Sequence, residues 1–182
     1  LHRKLEEILE VADRFPGRVA QKYVENSKLW DRRKFDLRCW VLFVGGGASD
    51  FEAYIYEPLY ARLCAKAWSL DDHLLLDEKR HLSNLAVNKG SADNLLGTQS
   101  DLETTVDFEK VKGGIRNIVT ALARTAHMLA TTRSRSFEFL GVDIILDDDA
   151  KPWLLERNLS PALARRNDAQ SRLIDSALRG CI

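Results

Sequence analysis

The chain has 182 residues, 45% hydrophobic and 30% charged, with 27 basic residues against 27 acidic ones. That length suits one domain, or part of one, with a sizeable core, and zero net charge gives no compositional support for a polyanion-binding surface, so nucleic acid is not an expected partner. Cys39, Cys64 and Cys181 lack Cys-x-x-Cys spacing, His2, His73, His81 and His127 include no closely spaced pair, and no apolar run could span a membrane; a disulfide framework, a zinc site and a membrane anchor are all disfavoured, and a reducing compartment is expected.

The chain opens at Leu1, without an initiator Met, directly into an amphipathic helix with Leu5, Ile8, Leu9 and Ala12 at helical spacing. This start predicts a fragment of a longer protein. Pro16-Gly17 ends the helix. Residues 19–25 read as a short strand and 34–44 as a stronger one. In the latter Phe35, Leu37, Cys39, Val41 and Phe43 share one face, while Lys34, Asp36, Arg38 and Trp40 share the other. The run 45–50 is a turn without the Gly-Lys-Ser/Thr continuation of a P-loop, and 51–56 returns as a strand, which predicts an antiparallel hairpin. Residues 69–79 read as a short helix and 89–103 as a polar mobile loop. Ile115, Ile118, Val119, Leu122, Ala126 and Leu129 make one apolar stripe, which predicts a helix over 114–131. His127 flanks that stripe and is given no chemical role. A hairpin over 137–158 and a closing helix over 167–178 complete an α/β (α+β) domain with a largely antiparallel sheet and packed helices.

Chemistry concentrates in the last hairpin, which reads as strand, acidic turn, strand. Glu156 and Asn158 point the same way. A turn centred near 148–150 puts Asp143 opposite Glu156, within one residue of register. Like charges directly opposite destabilise a sheet, so a cation between them is one reading, and the all-oxygen set suits Mg²⁺. An ordinary polar hairpin is the other. Lys34, Asp36 and Arg38 are similarly divided between a phosphate-holding row and a solvated face with internal ion pairs. Arg62 by itself reads as a surface residue. His81-Leu82-Ser83-Asn84 reads as a turn, with Ser83 and Asn84 able to cap it or to meet a ligand. Gln21-Lys22-Tyr23-Val24 offers a donor and an acceptor suited to a base edge, though nothing in those four residues requires one. There is no convincing Ser-His-Asp or Cys-His signature.

Taken in order, residues 21–26 (Gln-Lys-Tyr-Val-Glu-Asn), 34–38 (Lys-Phe-Asp-Leu-Arg), 81–84 (His-Leu-Ser-Asn), 137–143 (Phe-Glu-Phe-Leu-Gly-Val-Asp) and 152–161 (Pro-Trp-Leu-Leu-Glu-Arg-Asn-Leu-Ser-Pro) resemble the tubulin–tyrosine ligase family, the tubulin-tail amino-acid ligases with an ATP-grasp fold. Each segment is weak alone; the ordered set covers most of the chain. The resemblance implies that Gln21, Lys22, Tyr23 and Val24 form an adenine-binding hinge. It implies that Lys34 and Asp36 contact nucleotide, and that Ser83 and Asn84 lie near the phosphates, with Ser83 replacing a usual Thr. Arg38 and Arg62 match arginines near the terminal phosphate and the acyl-phosphate site, and Asp143, Glu156 and Asn158 match magnesium ligands.

The implied activity is ATP-dependent ligation of a free amino acid to tubulin tails through an acyl phosphate, with ATP and Mg²⁺ as cofactors. Tubulin or microtubules would be the partner, and the location the cytoplasm and cytoskeleton, or a cilium or flagellum. Residues 1–182 then form the C-terminal portion of the ATP-grasp domain, with the glycine-rich loop, its lysine and the N-terminal domain upstream of Leu1. Residues 158–163 are most similar to the glutamate-adding branch, while Trp40 resembles the glycine-adding branch. Glycine or tyrosine ligation and a non-catalytic nucleotide- or microtubule-binding role are the alternatives. Ser27-Lys28 stands for a usual Pro-Leu, and Arg157 for an aliphatic residue.

Overall fold

This computed structural model describes residues 1–45, 51–91, 95–129, 136–159, 161, 163 and 168–180. In chain order the elements are α1 (Leu5–Arg14), β1 (Leu29–Trp30), β2 (Arg33–Gly45), β3 (Phe51–Leu63), α2 (Glu78–His81), β4 (Leu96–Thr98), α3 (Gln99–Glu103), α4 (Phe108–Leu129), β5 (Ser136–Leu146), β6 (Pro152–Asn158) and α5 (Asp168–Arg179). The sheet runs β4-β3-β2-β5-β6, with β1 paired to β2, and every pairing is antiparallel. The α+β class follows the hairpin pattern of the sequence.

One face of β2 carries Phe35, Leu37, Cys39, Val41 and Phe43 into the main core, where they meet Val111, Ile115 and Val119 of α4 and Leu102 of α3. The other face divides along its length. At one end Trp40 and Tyr60 pack with Ile174 and Ala177 of α5. At the other lie Lys34, Asp36, Arg38, Arg62 and Asp143, all 9% exposed or less. Helices cover the first face and the aromatic half of the second; the polar half borders a cleft.

Several sequence expectations need correction. Residues 19–25 form no strand. A strand exists only by its ladder, and this segment is instead anchored at its end, where Ser27 bridges Asp147 and the Lys28 and Asp148 N–H groups bond across to Leu146 and Asn26. Region 69–79 holds a 3-10 turn at Asp72–Leu74 and then the start of α2, because the extended backbone at Asp77 (φ −77°, ψ 90°) interrupts the helix between them. The expected loop over 89–103 contains β4 and α3; Thr98 and Asp101 cap α3 reciprocally, each side chain bonding the other's backbone. Helix α4 begins earlier than its apolar stripe, with the Asp107 carboxylate accepting from the Lys110 N–H. Of the turn expected at 45–50, residues 46–50 lie outside the described residues.

Candidate active site

The polar half of the sheet is assembled by register. Asp36 on β2 stands opposite Arg62 on β3, Arg38 opposite Asp143 on β5, and Asp143 opposite Glu156 on β6. The hairpin expectation for Asp143 and Glu156 therefore holds. The next paired residues are Ile144 and Leu154, so Leu155 is a bulge. A bulge adds one residue to one strand and re-aims its side chains. Here it places Glu156 and Asn158 on the face of Asp143. The Leu155 carbonyl, freed from the ladder, accepts from Gln21 Nε2 at 3.3 Å. The acidic turn before β6 is structural: Asp147 accepts from the N–H groups of Asp149 and Lys151 and from Trp153 Nε1.

One hydrogen-bonded chain crosses four strands. Ser83 Oγ donates to Asp36 at 2.5 Å. Arg62 grips Asp36 with Nε and Nη2 at 2.7 and 2.6 Å and reaches Asp143 at 2.7 Å. Arg38 donates to both oxygens of Asp143 at 2.5 and 3.0 Å. Asn158 Nδ2 lies 3.4 Å from Asp143 and 3.0 Å from Glu156. Among the buried groups Arg38 and Arg62 pair with Asp36 and Asp143, two charges against two. Such closure is what lets ions persist away from water. Arg62 is therefore no surface residue, and the ion pairs of the Lys34–Asp36–Arg38 row run across strands in a buried setting.

Burial pushes the Asp143 carboxyl up, but the Arg38 hydrogen bonds and the charges of Arg62 and Arg38 outweigh it and hold the group below its ordinary value. Burial pulls the Arg62 guanidinium down, while the bonds and charges of Asp36 and Asp143 leave it raised overall. Burial lowers the Lys34 ammonium, partly offset by Cys64 and Asp36. Lys34 Nζ donates to the His81 carbonyl at 2.9 Å and lies 4.4 Å from the Tyr23 ring centre.

A cleft of about 290 Å³ opens over this chain of bonds. Its lining includes Gln21, Lys22, Tyr23, Val24, Lys34, Asp36, Arg62, Ser83, Asn84, Asp143 and Glu156, so the sequence-derived residues converge except for two. Arg38 and Asn158 stand behind it, bonded to Asp143. A larger cavity of about 630 Å³ lies between β3 and α4. We place the chemistry in the smaller cleft because the buried charges meet there.

The sequence reading passed over three supports. His81 is 3% exposed. Its Nε2 faces the Leu74 carbonyl at 3.2 Å and must donate, so Nδ1 accepts from the Tyr23 hydroxyl at 3.1 Å. Trp68 Nε1 donates to the same hydroxyl at 3.2 Å, fixing the ring that borders the cleft. Burial raises Tyr23 to about 12, so it stays a neutral donor. Asn88, 1% exposed, bonds the carbonyls of Leu82 and Asn84 and the Ala65 N–H, pinning the loop that carries Ser83. Isolated His, Trp and Asn residues carry no spacing signal that would have singled them out.

The Asp143, Glu156 and Asn158 set is chemically suited to a hard divalent cation. Turning the Asn158 amide over brings Oδ1 to the place where Nδ2 now bridges the two carboxylates, giving three oxygen donors.

The Tubulin-tyrosine ligase family pattern matches residues 1–182. Tubulin glycylase 3E of Tetrahymena thermophila is 31% identical over 95% of this chain and 14% of its own length. Probable tubulin polyglutamylase TTLL9 of Mus musculus is 34% identical over 80% of this chain and 33% of its own length. Tubulin polyglutamylase TTLL6 of Mus musculus is 30% identical over 88% of this chain and 22% of its own length. The chain thus spans between 14% and 33% of these relatives. With its full length matched by the family pattern, the chain belongs to the tubulin-tyrosine ligase family.

Proposed function

We propose that the intact protein is an ATP-dependent ligase that joins a free amino acid to a carboxylate of a tubulin tail through an acyl phosphate. In this reading residues 1–182 are the C-terminal part of its ATP-grasp domain. The observation that carries it is the continuous bond chain from Ser83 to Glu156 beneath the cleft. It places cations suited to phosphate oxygens beside carboxylates suited to a metal.

Gln21, Tyr23 and Val24 would hold the adenine, with Lys22 at the cleft edge. Lys34 has donors beyond its one carbonyl bond for phosphate oxygens. Arg62 is the residue poised to stabilise the transferred phosphate, since its guanidinium borders the cleft with its orientation fixed by two carboxylates. Arg38 holds Asp143 in place. Asp143, Glu156 and Asn158 would hold magnesium, which when bound neutralises phosphate charge. Ser83 orients Asp36. Phosphoryl transfer asks mainly for positioning and charge, and no protein nucleophile is required.

Both glycylases and polyglutamylases are among the relatives, and residues 158–163 incline the reading toward glutamate. Tubulin incubated with the intact protein, Mg-ATP and a mixture of glutamate, glycine and tyrosine should gain mass on its tails, with the increment naming the amino acid. Absence of any increment from folded, ATP-bound protein would replace this reading with a non-catalytic nucleotide- or microtubule-binding role.

A further inference from the structure

Tyr23 lies in a segment with no ladder to hold it, since residues 19–25 form no strand. Two side chains brace it instead. Trp68 Nε1 donates to its hydroxyl at 3.2 Å. The hydroxyl donates on to His81 Nδ1 at 3.1 Å, with the His81 Nε2–H directed to the Leu74 carbonyl. The His81 and Tyr23 rings also meet edge-on, at 80° with centres 5.8 Å apart. Trp68 is itself tied by its backbone N–H to the Arg32 carbonyl at 2.8 Å, in the turn that leads into β2.

The braced ring faces Lys34. Its centre lies 4.4 Å from Nζ, within the range at which an aromatic face attracts a cation. The His81 carbonyl accepts from the same ammonium at 2.9 Å. His81 thus bears on Lys34 twice, directly through its carbonyl and through its ring by way of Tyr23. Arg38 and Arg62 are each gripped by carboxylates, whereas Lys34 is placed by a carbonyl and a ring. Neutral partners fix a charge without cancelling it, which leaves its attraction for an incoming anion intact.

We propose that Trp68 and His81 are positioning residues for Lys34: by fixing the Tyr23 ring they fix the ammonium that meets phosphate oxygens, and so set the affinity of the cleft for the triphosphate while leaving that for the nucleoside alone. This rests on the nucleotide reading of the cleft. Trp68 lies outside the cleft lining, so its influence on a ligand passes through the Tyr23 ring.

The test is isothermal titration calorimetry of the intact protein with Mg-ATP and, separately, with adenosine. Trp68→Phe keeps an aromatic ring and removes the N–H, while His81→Leu removes both ring nitrogens. Each should weaken Mg-ATP binding about five- to tenfold, the scale of a desolvated cation–ring contact, and leave adenosine binding unchanged. His81→Asn loses the Leu74 bond as His81→Leu does, but its amide oxygen can take the place of Nδ1, so Mg-ATP should bind within about twofold of wild type. Lys34→Met keeps the stem and removes the charge, and in that background Trp68→Phe should no longer matter. Unchanged Mg-ATP affinity in Trp68→Phe and His81→Leu would overturn the proposal. So would equal weakening of both ligands, His81→Asn as weak as His81→Leu, or an undiminished Trp68→Phe effect beside Lys34→Met. Wild-type protein that binds neither ligand would overturn the nucleotide reading of the cleft, and this assignment with it.

Discussion

Asp143 and Glu156 face each other across one strand pair, yet they should fail in different ways. Asp143 is 2% exposed and anchors both Arg38 and Arg62. Asp143→Asn leaves Arg62 with Asp36 but deprives Arg38, itself 7% exposed, of its carboxylate. Breaking a buried pair from one side costs about 3–5 kcal/mol. For a domain of this size each kcal/mol moves the midpoint by about 2–4 °C, so a fall of ~6–20 °C is expected. Glu156 is exposed and has one amide contact, so Glu156→Gln should stay within about 0.5 kcal/mol of wild type. Differential scanning calorimetry of the intact proteins separates the two, and ligation assays on the same samples should show both variants impaired. Acid titration adds a second axis. The Asp143 value is depressed on folding, so its stabilisation is complete above the ordinary 3.8 and is lost as pH falls below it; Asp143→Asn should flatten that limb. An unchanged midpoint for Asp143→Asn would refute the argument that the arginines depend on this carboxylate.

Arg62→Ala should reduce turnover more than ATP affinity if, as proposed, it stabilises the transferred phosphate; an unchanged kcat beside a weakened Kd would reverse that assignment. Gly141→Ala brings a Cβ to 2.8 Å from Pro161 Cβ and 2.9 Å from Arg38 Nη1. It should cost about 1–3 kcal/mol by overpacking, read by chemical denaturation, and an unmoved midpoint would mean that both neighbours yield freely. Burial lowers the His81 value below 6.5. The unfolded chain then takes up a proton first as pH falls, so stability should decline below about pH 6.5 by at most about 1.4 kcal/mol per unit. His81→Gln should remove that slope, and persistence of the slope in the variant would place its origin elsewhere.

The sheet was legible where alternation was strong. The two faces of β2 separate as their side chains do, and the last hairpin falls into register because its turn is short. The site residues were legible as an ordered set of segments, each uninformative by itself. Partnership was not legible: nothing within 34–38 says that Asp36 binds Arg62 while Arg38 binds Asp143, since those pairings depend on which strands become neighbours. Residues 19–25 have strand-like composition but find no ladder. The signals for α3 and the start of α4 were present, as Thr98-Gln99-Ser100-Asp101 and as Asp107, but polar composition concealed them.

The bulge at Leu155 makes the candidate site sensitive to counting as well as to chemistry. A strand has two phases, inward and outward, and the extra residue shifts Glu156 and Asn158 by one step relative to Trp153. Adding a single residue between 153 and 155 would keep every acidic and amide group in the chain. Unless the bulge grew to absorb it, it would turn both ligand candidates out of phase with Asp143, or force Trp153 and the Asp147-bonded turn to rotate in their place. Removing Leu155 would have the opposite effect, closing the bulge into a regular ladder that keeps Glu156 opposite Asp143. Substitutions in this strand can be graded, each altering one side chain by degrees, whereas an added residue acts on both ligand candidates at once.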